Sequence, residues 1–139
     1  MKKLLYVFLL VASAQLFSGF AGAQVLVIAN PSVKASEVSK GALKDIFTGG
    51  SSKLGSSDVT PVLLKAGTVH SEFLAAYIGK DDAAFRAGWR SLVFSGNASM
   101  PKNLDSDAAV VAYVAQNSGA IGYIGKASPH EGVKVLTVH

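Results

Sequence analysis

Not one of the 139 residues is a cysteine. Disulfides, thiol nucleophiles and cysteine-based metal sites are excluded together, and a lipid-anchored lipoprotein is excluded with them, because its anchor is a cysteine. Histidine is nearly as scarce: His70, His130 and His139 stand far apart, and none forms the i, i+4 pair with an acidic partner that a helical zinc site uses. Each reads as a lone surface histidine, and no metal site is expected. Serines are plentiful, but no Gly-x-Ser-x-Gly elbow frames one and no activating base can be named beside one. The glycine-rich stretches lack both the P-loop and the dinucleotide fingerprint. With neither paired carboxylates nor an activated nucleophile, the chain reads as a non-enzyme with no catalytic residue and no cofactor.

Net charge is also small. Lys2 and Lys3 supply half of the formal +4, and no acidic residue lies in 1–23, so the rest of the chain carries about +2. That is too little and too dispersed for a nucleic-acid footprint. Nor is there an apolar run of the roughly 20 residues that span a bilayer, since Leu4 to Phe17 is interrupted by Ser13 and Gln15.

What stands at the N-terminus instead is an export signal. Lys2 and Lys3 form a basic start, Leu4 to Phe17 an apolar run, and Ala21-Gly22-Ala23 the small-x-small pattern that a signal peptidase accepts. Residues 1–23 are therefore expected to be a cleaved signal peptide and Gln24 the mature N-terminus. The mature protein would then be periplasmic or secreted, with no stable membrane insertion after cleavage. Without residues 1–23 the 139-residue chain keeps 116, one domain's worth, able to bury somewhat under about 70% of its unfolded surface.

Along residues 24–139, Val25 to Ile28 reads as a strand closed by Asn30-Pro31. Ser39 can cap a helix with Leu43, Ile46 and Phe47 on its apolar face, ended by Gly49-Gly50. Ser51 to Asp58 reads as a polar loop, and Val59 to Leu64 as a strand whose Pro61 suits an edge or a strand start. Phe73, Leu74, Tyr77 and Ile78 mark a second helix closed by Gly79. Asp81 or Asp82 opens a third, with Phe85, Trp89, Leu92 and Val93, stopped at Ser95-Gly96. Asn97 to Asp105 reads as a loop. Asp105 or Ser106 caps a fourth helix carrying Val110, Val111 and Val114, and strands follow at Ala120 to Ile124 and Val133 to Val138. This order predicts an α/β domain with a mixed sheet flanked by helices. Phe47, Tyr77, Phe85, Trp89 and Phe94, at helical spacing, read as core rather than as a ligand cage.

Lys65-Ala66-Gly67-Thr68 is the stretch with most chemistry in it. A glycine followed by a hydroxyl at a helix start leaves backbone N–H groups converging where an anion is favoured. Lys65 would add a charge and Ser71 a second hydroxyl. The same residues also fit an ordinary helix start in which Thr68 caps its own helix.

Taken together the segments resemble the phosphate-binding-protein-like group of the type II periplasmic binding proteins, the solute-binding components of ABC importers. The carriers are Val27-Ile28-Ala29-Asn30-Pro31; Leu43-Lys44-Asp45-Ile46-Phe47-Thr48-Gly49, similar to the family's Leu-x-x-Ile-Phe-x-Gly; Trp89 with Phe94-Ser95-Gly96 and Pro101; and Ser118-Gly119-Ala120-Ile121-Gly122-Tyr123-Ile124, similar to Pro-Gly-Ala-Ile-Gly-Tyr-Val. The resemblance implies the fold of one lobe of such a protein and a small oxyanion, phosphate first, as ligand. It implies binding at Lys65, Gly67, Thr68 and Ser71 with the Ser118-Gly119 turn, and an ABC permease or another envelope protein as partner. An accessory or interaction module that keeps the lobe fold without binding solute is the alternative. Two features depart from the family pattern. Its members have two lobes, and its phosphate loop reads Arg-x-x-x-Ser-Gly-Thr where this chain has Lys65-Ala66-Gly67-Thr68, without that arginine and serine.

Overall fold

A computed structural model describes residues 24–139; the expected signal peptide lies outside the described residues. The chain runs β1 (Val25–Ala29), β2 (Glu37–Val38), α1 (Lys40–Phe47), a hairpin of β3 (Lys53–Leu54) and β4 (Ser57–Asp58), β5 (Thr60–Leu64) and α2 (Thr68–Phe73). After α2 the helix continues as a π-helical turn, Leu74–Ile78. Then come α3 (Asp82–Phe94), β6 (Lys102–Leu104), α4 (Asp107–Gln116), β7 (Ala120–Gly125) and β8 (Lys134–Val138). Six strands form one mixed sheet in the order β2-β8-β1-β7-β5-β6. β1 is antiparallel to β7 and β8, while β5 is parallel to both β7 and β6.

Helices cover both faces, as the predicted layering requires. Ala120 to Ile124 are all buried, and successive side chains of β7 point to opposite faces. On one face Gly122 sits so close to α4 that an added Cβ would fall 2.9 Å from Val110 Cγ1 and from Val62 Cγ2. On the other, Tyr123 stacks flat on Phe73 with centroids 3.8 Å apart, and Phe47 meets both rings edge-on. The Trp89 indole N–H donates to the Phe47 carbonyl at 2.9 Å, fastening α3 to the end of α1.

The caps resolve as sequence chemistry demands. Ser39, Asp81 and Ser106 each accept a backbone N–H from the first turn of α1, α3 and α4, worth about 1 kcal/mol apiece. Asn30, buried at the end of β1, donates its amide to the Val114 and Ala115 carbonyls near the end of α4 and accepts from the Ser32 N–H. Pro31 is thus held in an Asx turn that also ties β1 to α4.

Several expectations need correction. The Ser51 to Asp58 loop contains the β3–β4 hairpin, the Asn97 to Asp105 loop contains β6, and β2 was not foreseen. Each of these strands is two or three residues long, too short to show a period of two. Because β6 takes the sheet edge, β5 is an inner strand; Pro61 is tolerated because it faces Ile121 of β7 at the strand start, and the ladder to β6 begins only at Val62. Phe94 is not core: it is 93% exposed. It lies nine residues after Phe85, which at 100° per residue is half a turn away from the buried face.

Candidate functional site

Because β5, β6 and β7 are parallel, their carboxyl ends share one edge of the sheet, the edge where open α/β sheets bind ligands. Three chain segments meet there: residues 65–68 leading into α2, Asp105 and Ser106 leading into α4, and residues 126–128 after β7. Asp107, in the first turn of α4, accepts from the Gly125 N–H at 2.8 Å and the Ser128 hydroxyl at 2.5 Å. The Gly125 position also lies against Val69 of α2, so the two helix starts are neighbours.

Among the described residues α2 is the one α-helix of four whose start has no side-chain cap. Its N-cap is Gly67 at φ 106° and ψ 175°, a backbone region essentially confined to glycine. Thr68 caps nothing, and its hydroxyl, with that of Ser71, lies on exposed surface. The first-turn N–H groups therefore face outward without a side-chain partner, where the helix dipole favours negative charge. Lys65 spends its ammonium on Asp105 at 3.0 Å, an exposed pair of little energetic weight. Since Asp105 cancels the Lys65 charge, attraction for an anion at this edge rests on the backbone dipoles.

Ser118 and Gly119 are not part of this cluster. They precede β7 at the opposite edge, where the Gly119 carbonyl accepts from the Thr60 N–H at the start of β5. The length of β5, roughly 16 Å at about 3.3 Å per residue, separates them from residues 65–68. Their role there is structural. The Ser118 hydroxyl and the Gly119 N–H both donate to the Ser32 hydroxyl. Gly119 has φ 76°, and a Cβ would fall 2.6 Å from the Asp58 carbonyl.

Beneath the start of α2 lies a polar network that the sequence reading missed. His70 is 2% exposed, not a surface residue as expected. One ring nitrogen, Nδ1, is 2.6 Å from the Tyr123 hydroxyl, and Nε2 is 2.7 Å from Asp82. Tyr123 also accepts the Leu64 N–H at 3.1 Å. One tautomer satisfies every group: the phenol donates to Nδ1, and Nε2–H donates to Asp82. Arg86 completes the frame, with Nε on Asp82, Nη1 on Asn103, and Nη2 on the carbonyls of Leu64 and Lys65. Arg86 thus reaches the β5–α2 connection from α3, and its donors are spent bracing that connection rather than facing a ligand.

Burial pushes the Tyr123 phenol above its ordinary value. Burial also opposes ionisation of Asp82, yet the His70 hydrogen bond and the Arg86 charge outweigh it and hold the carboxyl below the usual range. The network was partly legible: His70 falls at i−3 and i−4 from Phe73 and Leu74, on the apolar face of its own helix. His130 and His139 take no part in this network, His130 donating to the Ser128 carbonyl and His139 standing 3.3 Å from Glu37.

No protein-family model and no curated protein matches the chain. Solved structures do. An ABC-type phosphate transport receptor from Vibrio cholerae aligns with a TM-score of 0.56 at 14% identity, over 83% of this chain and 46% of its own. A Clostridium perfringens structure with bound phosphate, described as a phosphate ABC transporter substrate-binding protein, gives 0.64 at 16%, over 83% and 44%. PstS from Borrelia burgdorferi gives 0.54 at 15%, over 84% and 47%. The chain spans under half the length of each, which fits the extent of one lobe, and at these identities the likeness is one of fold.

Proposed function

We propose that this chain, which has a phosphate-binding-protein-like fold with the extent of a single lobe, is an exported solute-binding protein that holds phosphate or a similar small oxyanion for an ABC-type importer. The observation that carries the reading is the uncapped start of α2. Gly67 and Thr68 present first-turn N–H groups and a hydroxyl at the carboxyl edge of the parallel strands, with Ser71 one turn on and Lys65 alongside. An anion there would accept from the backbone, and Lys65 would exchange Asp105 for the ligand. No covalent chemistry is implied. The signal peptide expected at 1–23 supports the periplasm or the exterior as its location, and among the described residues no helix is long and apolar enough to cross a membrane.

Affinity on an open shelf is weak, because tight small-molecule sites enclose most of their ligand. Calorimetric titration with phosphate, sulfate and a neutral sugar tests the reading. Heat is expected with the oxyanions and none with the sugar, and Thr68→Val should reduce it. No heat and no thermal shift at millimolar oxyanion would sink it. One observation favours a second reading, an accessory module that binds another envelope protein: residues 65–68 and Ser71 are all exposed. That reading expects Thr68→Val to leave function intact.

A further inference from the structure

We infer that the tip formed by the end of α3 and the loop into β6 docks on an anionic lipid surface. This inference is independent of the oxyanion reading. Of the four large apolar residues exposed among the described ones, three gather here: Phe94 at 93%, Val93 at 40% and Met100 at 42%. With Arg90 they line one apolar depression. Phe94 stands on the side of α3 opposite the buried Phe85, so no shift of rotamer returns it to the core.

The charge on this stretch of chain is one-sided. Residues 83–104 contain Arg86, Arg90 and Lys102 and no aspartate or glutamate. Arg86 is committed to Asp82, Asn103 and two backbone carbonyls. Lys102 rests its ammonium 5.9 Å from the centre of the Tyr113 ring, and among the described residues the Arg90 guanidinium makes no hydrogen bond or ion pair. Exposed apolar side chains flanked by unpaired cations are the composition of an interfacial membrane contact: the apolar groups enter the headgroup boundary, while the cations reach the lipid phosphates.

Two other occupants fit less well. A second copy would bring Arg90 and Lys102 against Arg90 and Lys102, with no carboxylate in the patch to receive them. A folded protein partner with an acidic surface would match the charge, but it would need a socket for Phe94, which projects almost fully from the surface; a fluid interface needs none. Position agrees with docking as well. Met100 precedes β6, whose far end carries the Leu104 carbonyl bonded to the Lys65 N–H. The tip therefore lies at the sheet edge away from the start of α2, and docking would leave that shelf facing solution.

Co-sedimentation with vesicles of phosphatidylcholine alone and of phosphatidylcholine with phosphatidylglycerol tests the inference. Wild type, Phe94→Ser and Arg90→Glu are compared on the same chain, so that residues 1–23, where retained, contribute equally to all three. The exposure of both side chains keeps the variants folded, checked by circular dichroism. Wild type is expected to partition onto the anionic vesicles and to be released by salt. Phe94→Ser should weaken partitioning about tenfold or more, and Arg90→Glu several-fold. Wild type that ignores both vesicle types, or Phe94→Ser that binds as wild type does, overturns the inference. Phe94-dependent self-association without lipid overturns it in favour of a second copy.

Discussion

Gly67 carries the start of α2 alone. At φ 106° and ψ 175° a side chain is strained whatever space surrounds it, and an added Cβ there meets nothing within 4 Å, so the cost of Gly67→Ala is a backbone cost. A loss of about 1–3 kcal/mol is expected in urea unfolding, together with loss of oxyanion binding as the first turn reorients. Tyr123 is the matching case in the core. Tyr123→Phe keeps the stack on Phe73 but strands the Leu64 N–H and the His70 Nδ1, and should cost about 1–3 kcal/mol by the same measurement. A variant as stable as wild type would show that the network is dispensable.

At the scale of elements, α3 is two-faced. Trp89→Ala removes a buried ring and its bond to the Phe47 carbonyl and should cost about 3–5 kcal/mol. Phe94→Ser, nearly as large a deletion, should stay within about 0.5 kcal/mol because nothing packs on it. The helices were legible because each sets apolar residues three and four apart, as Leu43, Ile46 and Phe47 are. Position 94 was legible by the same arithmetic, which puts it half a turn from Phe85, and His70 by its place on the apolar face of α2. The short strands β2, β3, β4 and β6 were not, since two or three residues define no period. The start of α2 could be read locally, as a glycine before a hydroxyl. That Ser118 and Gly119 stand at the other sheet edge could not, because it follows from the parallel pairing of β5 with β7, a contact between residues some 60 apart in sequence.

For the whole molecule, the two shifted groups bound a plateau of stability. Asp82 has its folded pKa below the unfolded value of 3.8. It contributes stability above that value and loses it as pH falls through the folded pKa, so acid unfolding should begin below about pH 4. Tyr123 has its folded pKa above the ordinary 10.0. The unfolded chain ionises first there, and stability should fall as pH rises past about 10. Denaturant midpoints across the pH range check both limbs, and Asp82→Asn should flatten the acid one. Within the plateau the proposed oxyanion site is one place, the first turn of α2. Backbone amide NMR during a phosphate titration reads it directly. Saturable shifts are expected at the Thr68, Val69 and His70 amides, with the Ser118 and Gly119 amides unmoved. Unmoved first-turn amides at millimolar phosphate, or shifts centred on Ser118, would contradict it.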